Sequence, residues 1–126
     1  MNVRLAVVDD NPVYLFALTH VLKNMDEFVV SISSEDFKEY LEALGDEEVD
    51  IILIDVSVLL GLRPQILKGY LKYVHDIPVM VMGMDRPSQM DELQTLHPNI
   101  RFLAKGSGRE KIIESIRETA SLLNWY

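Results

Sequence analysis

The chain has 126 residues, 48% of them hydrophobic and 25% charged, the size and balance of one globular domain with a core of its own. A formal net charge of −8 argues against autonomous nucleic-acid binding, which relies on Lys and Arg neutralising phosphates. With no cysteine there is neither a disulfide framework nor a thiolate metal site, and no apolar run approaches membrane-spanning length. Met1-Asn2-Val3-Arg4 opens no long apolar signal region, so the expectation is a soluble cytoplasmic protein.

Short apolar runs alternate with amphipathic stretches along the chain, the pattern of βα units on a parallel sheet. The first run, Val3–Val8, is almost purely apolar, as in a central strand covered on both faces, and leads into Asp9-Asp10. Asn11-Pro12 then opens a helix, since the N–H that proline lacks would be unpaired in a first turn. Leu15, Leu18 (or Thr19) and Leu22 form its apolar stripe. Phe28–Ile32 reads as the second strand. A helix over Ser34–Leu44 follows and stops near Gly45, with Phe37, Leu41 and Leu44 inward. The third strand, Ile51–Ile54, ends in Asp55 and continues into a loop, Val56-Ser57-Val58-Leu59-Leu60-Gly61-Leu62. A helix from Pro64 to Val74, a strand at Val79–Met82 and a helix from Pro87 to Leu96 come next. The last strand, Arg101–Ala104, ends in Lys105. Ser107-Gly108-Arg109-Glu110 matches a capping box, and Ile112, Ile113, Ile116 and Ala120 follow at helical spacing. Five strands and five helices in alternation predict a doubly wound α/β sandwich, one domain over 1–126.

In a parallel sheet the C-terminal strand ends share one edge, where ligands bind. Asp9, Asp10, Asp55 and Lys105 therefore converge on one pocket. Carboxylates that close raise one another's pKa unless cations screen them, and a hard divalent ion such as Mg²⁺ takes oxygen ligands. Singly, Asp9-Asp10 would serve as helix N-terminal acids, Asp55 as a turn residue and Lys105 as a solvated lysine. Jointly they point to phosphoryl chemistry.

With these residues in this order, the chain resembles a response-regulator receiver domain of bacterial two-component signalling over its whole length. Phe102-Leu103-Ala104-Lys105-Gly106-Ser107, running into the last helix, is similar to the receivers of DNA-binding transcriptional regulators. The resemblance implies a flavodoxin-like (βα)5 fold on a five-stranded parallel sheet. It implies Asp55 as phospho-acceptor for a sensor histidine kinase or phosphotransfer protein, and Lys105 on a phosphoryl oxygen. It also implies Mg²⁺ held by Asp9, Asp10, Asp55 and the backbone carbonyl of Ser57. The signal would pass by partner docking or a homodimer, with no direct nucleic-acid or membrane contact and no output domain in this chain.

Three switch positions depart from that family or depend on a departure. The fourth strand should end in Ser or Thr, but Gly83 stands there with no hydroxyl. Met84, where a small residue is usual, would partly cover the pocket. Phe102 is the switch aromatic, whose swing the missing hydroxyl would couple. After Asp55, Leu59 replaces a usual proline and Arg63 a common glycine. That loop is apolar either through local repacking or as a partner surface. Met80, Met82, Met84 and Met90 read as adaptable core filler or a plastic docking face. His20, His75 and His97 share no ligand spacing, and Asp46-Glu47-Glu48 is a solvated loop. Trp125-Tyr126 packs back on the domain or marks where an output domain would follow.

The alternative to a phospho-accepting receiver is a pseudo-receiver, a phosphorylation-independent interaction module favoured by Gly83 and Met84. A Mg²⁺-dependent phosphohydrolase is disfavoured, because Val56-Ser57-Val58 offers no second acid beside the nucleophile. The expectation is therefore an acceptor domain that phosphorylates itself at most, and no turnover enzyme.

Overall fold

The computed structural model describes residues 2–123. Strands β1 (Val3–Val8), β2 (Phe28–Ser34), β3 (Ile51–Asp55), β4 (Val79–Gly83) and β5 (Ile100–Ala104) form one parallel sheet in the order β2-β1-β3-β4-β5. Among the described residues the helices are α1 (Pro12–Lys23), α2 (Phe37–Leu44), α3 (Val56–Leu60), α4 (Pro64–Tyr73), α5 (Met90–Leu96) and α6 (Arg109–Ser121), with a 3-10 turn at Lys105–Ser107. The order reverses between β1 and β3, the switch point where open α/β sheets bind ligands.

Two apolar layers explain why the central runs carry no polar alternation. In β1, Leu5 and Val7 pack under α1 and α6, while Ala6 and Val8 pack under the helices of the opposite face. Ile51 and Leu53 of β3 face one way, Ile52 and Ile54 the other. Alternate side chains of each central strand thus enter different cores, so each position must be apolar. Three of the four methionines around β4 serve as core filler: Met80, Met82 and Met90 are buried, whereas Met84 is 69% exposed.

Several local expectations are corrected. β2 continues to Ser34, and α2 starts at Phe37 because the Asp36 side chain caps it, accepting from the Glu39 N–H at 3.0 Å. With that start, Phe37, Tyr40 and Leu44 line the inner stripe; Tyr40 is fully buried and Leu41, expected inward, is exposed. The Tyr40 hydroxyl can be buried because it meets that of Tyr70 on α4 at 2.6 Å, with the Phe37 ring edge-on to both. α5 begins at Met90, after a turn closed by the Met90 N–H on the Pro87 carbonyl. His97 is a satisfied core histidine, its ring nitrogens 3.0 Å from the Val74 carbonyl and 3.1 Å from the Asn99 N–H.

The expected capping box is absent from α6. The 3-10 turn draws the Ser107 hydroxyl back to donate to the Ala104 carbonyl at 2.6 Å, and the cap position falls to Gly108. Gly108 has φ +92°, the one positive φ among the described residues, which glycine adopts without strain. The stretch after Asp55, expected as a loop, begins with α3. Leu59 is fully buried there, and Val56, Val58, Leu60 and Leu62 pack against the same layer, so its apolar character belongs to the core. No described helix is long and apolar enough to cross a membrane. Trp125 and Tyr126 lie outside the described residues.

Candidate functional site

β1, β3 and β5 each end by delivering a charged side chain to the same edge of the sheet. Asp9 is fully buried; its N–H donates to Ser34 of β2 at 3.1 Å and its Oδ1 accepts from the Asn11 N–H at 2.9 Å. Asn11 in turn caps α1, its side chain accepting from the N–H groups of Val13 and Tyr14. Asp55 is 5% exposed and caps α3, its Oδ2 accepting from the Ser57 N–H at 3.0 Å. Lys105 stretches back over the edge. Its Nζ stands 2.7 Å from Asp9 Oδ2 and 2.5 Å from Asp55 Oδ1, and 4.3 Å from the centre of the Tyr14 ring.

Asp9, Asp10 and Asp55 each place an oxygen within 4.8 Å of the others. Asp10 alone is exposed. The Ser57 hydroxyl sits between it and Asp55, 3.1 and 3.2 Å from the two Asp10 oxygens and in short contact with Asp55 Oδ2. The lysine links Asp9 to Asp55 and the serine links Asp10 to Asp55, so one ammonium stands among three acids.

Their titration follows from these contacts. Burial works to raise the Asp55 pKa, but hydrogen bonds from Lys105 and from the Ser57 hydroxyl and N–H outweigh it, leaving a net lowering. For Asp9 burial prevails over Lys105 and the Asn11 N–H, and the pKa is raised. Burial would lower the Lys105 pKa, yet its two carboxylate partners raise it overall. At neutral pH the lysine is firmly charged and Asp55 ionised.

The donor set suits a hard divalent cation in part. Three carboxylates offer the oxygen ligands such an ion takes. The expected fourth ligand, the Ser57 carbonyl, accepts from the Gly61 N–H at 3.1 Å and keeps a second lone pair. A Cβ at position 61 would lie 2.9 Å from that oxygen, so the closure depends on glycine. It is the Ser57 hydroxyl that faces the carboxylates.

At the end of β4 the missing hydroxyl has a steric explanation. A Cβ on Gly83 would meet Val56 Cγ1 at 3.0 Å and Phe102 Cε1 at 3.4 Å. Val56 and the half-buried Phe102 therefore fill the space that a Ser or Thr side chain would need, and Phe102 packs into the core layer of that face. Met84 reaches across to the turn after β5, its methyl 3.6 Å from where a Gly106 Cβ would stand, and remains exposed.

Two participants were not anticipated from the sequence. Tyr14 places its ring against Lys105; burial, helped by the charges of Asp9 and Asp55 and opposed by that of Lys105, raises the pKa of its hydroxyl, which has no hydrogen-bond partner among the described residues. An aromatic one helical turn beyond Asp10 was the available signal. The other is the Ser57 side chain, where the sequence suggested only the backbone. A cavity of about 200 Å³ between α1 and α6 reaches Lys105 from behind, but Ala17, Leu18, Val21 and Ile112 line it, and the carboxylates do not open into it.

The sequence matches no family model and no curated protein. In three dimensions the chain superposes on the isolated REC domain of RcsB from Salmonella enterica serovar Typhimurium with a TM-score of 0.78 at 16% identity, covering 99% of this chain and 93% of that one. The receiver domain of the response regulator NarL from Mycobacterium tuberculosis gives 0.77 at 21% identity, over 97% and 98% of the two chains. A receiver domain of an HD domain-containing protein from Pseudomonas fluorescens Pf-5 gives 0.78 at 16%, over 96% of each. The fold is that of a response-regulator receiver domain. A longer RcsB chain matches at a TM-score of 0.81, and there this receiver fold spans 65% of the length. At these identities the likeness lies in the fold.

Proposed function

We propose that the chain is a phospho-accepting receiver of a two-component pathway, working in the cytoplasm as an acceptor and without multiple turnover. Asp55 takes a phosphoryl group from the phosphohistidine of a sensor kinase or phosphotransfer protein. A carboxylate oxygen of Asp55 forms the new O–P bond as the donor's N–P bond breaks, and the electron pair stays on the imidazole nitrogen. The carrying observation is the placement of Asp55: nearly buried, ionised and held by Lys105, with Asp9 and Asp10 within ligand distance. Lys105 is positioned to leave Asp55 Oδ1 for a phosphoryl oxygen, and Asp9 keeps it near while it moves. Mg²⁺, held by Asp9, Asp10 and Asp55, would neutralise the charge that gathers on the transferring oxygens. Output would follow by docking a partner or by pairing with a second copy.

Incubation with acetyl phosphate and Mg²⁺ followed by intact-mass measurement tests this. The parent should gain one phosphoryl group and Asp55→Asn none; an unmodified parent at every donor concentration sinks the reading. Phosphate release well beyond one equivalent would instead indicate a hydrolase.

A second reading has its own observation. Gly83 gives no hydroxyl, and Val56 with Phe102 occupies the place for one, so the usual coupling between phosphoryl group and aromatic has no first link. A pseudo-receiver, signalling through its surface without phosphorylation, fits that half of the pocket. The same mass measurement separates the two.

A further inference from the structure

We propose that the Ser57 hydroxyl is a latch on the carboxylate trio: it bridges Asp10 and Asp55, two of the acids that would hold a divalent cation, and so weakens cation binding until it swings out. This rests on the reading of the trio as a cation site. Three features of the chain carry it.

The first is position. The hydroxyl lies within 3.2 Å of both Asp10 oxygens and in short contact with Asp55 Oδ2, between the exposed acid and the nearly buried one. The second is the direction of the backbone. Because α3 starts directly after Asp55, the Ser57 N–H is turned onto Asp55 and its side chain is brought over the same carboxylate, while the carbonyl accepts from the Gly61 N–H. The third is proton count. A hydroxyl has one proton, and ionised carboxylates only accept, so Ser57 satisfies one of its two acids at a time and leaves the other facing an oxygen lone pair. It holds Asp10 and Asp55 together without neutralising them. A cation would do both, but only after the serine contact is given up.

The release is local. Ser57 is exposed on the first turn of α3, so its side chain can rotate toward solvent without moving any core residue, while its N–H stays on Asp55. Ser57 is therefore a positioning residue, and its effect should show in cation affinity whether or not the protein is phosphorylated.

Calorimetric titration of the whole chain with Mg²⁺ tests the latch, using the parent, Ser57→Ala and Ser57→Thr. A hydrogen bond to a charged acceptor is strong enough that removing it should tighten Mg²⁺ binding about tenfold in Ser57→Ala. Ser57→Thr keeps the hydroxyl and should bind like the parent. Equal affinity in parent and Ser57→Ala overturns the latch while leaving the cation site standing. Weaker binding in Ser57→Ala also overturns it, and makes the hydroxyl a ligand. No Mg²⁺ binding by any of the three removes both the latch and the cation reading.

Discussion

The two halves of the pocket are held together by different forces. Where β1, β3 and β5 end, Asp9, Asp10, Asp55 and Lys105 are fixed by charge and hydrogen bonds, with distances of 2.5 and 2.7 Å from the lysine to its two acids. Where β4 ends, Gly83, Val56 and Phe102 are fixed by volume, with apolar carbons at the limit of contact. A new charge on Asp55 would be felt at once by the first half, because Lys105 and the Ser57 hydroxyl both contact that carboxylate. The second half has no side-chain hydroxyl to register it. The contrast separates receiving a phosphoryl group from reporting one, and substitutions can probe each side.

The largest effect is expected at Asp55 itself. Asp55→Asn should abolish the phosphoryl adduct in intact-mass spectra, since it removes the ionised carboxylate proposed to attack phosphorus. Next comes Lys105→Met. It leaves two buried acids without their cation, and breaking such a pair costs about 3 kcal/mol or more. Urea denaturation measures this, and a loss below about 1 kcal/mol would show that solvent already screens the group and would erase the contrast.

On the apolar side Gly83→Ser should destabilise by about 1–3 kcal/mol through overpacking against Val56 and Phe102. The double variant Gly83→Ser with Val56→Ala should recover most of that loss. If the serine variant is as stable as the parent, the glycine is not there for lack of room.

The smallest effect is the dependence on pH. Asp55 has a lowered pKa in the fold, so its contribution to stability is present above the ordinary value of 3.8 and is lost as pH falls below it. Asp9 has a raised pKa and works against folding once ionised, which makes that acid limb shallower. Lys105 has a raised pKa, so its contribution is present below the ordinary 10.5 and is lost as pH rises through the folded value. The stability gap between the parent and Lys105→Met should narrow on both sides of that window, whereas the gap for Gly83→Ser should stay flat.

Much of this was legible in the chain. Strands buried on both faces leave uninterrupted apolar runs, so β1, β3 and β4 could be placed to within a residue or so, and with them the acids at the ends of β1 and β3. What was hidden depends on contacts between elements or on backbone direction. α3 is too short to show a helical period, and without it the Ser57 carbonyl looks free. The capping box at Ser107 is correct as a pattern, but a 3-10 turn uses its hydroxyl first. Gly83 reads as a loss until Val56 and Phe102, from two other elements, are seen to occupy its space. Tyr40 rather than Leu41 faces inward because its hydroxyl meets that of Tyr70 on α4, a contact between elements that the spacing within one helix does not show.

The strand order has a consequence for how the pocket comes into being. Its acids leave β1 and β3, which are neighbours, but its lysine leaves β5, which lies at the sheet's edge beyond β4. No fragment that stops before β5 contains the cluster's lysine, and the contact from Lys105 to Asp9 closes a loop across almost the whole described chain. Without β5 the acids at the ends of β1 and β3 stand side by side with no lysine between them. The pocket is therefore complete only when the sheet is.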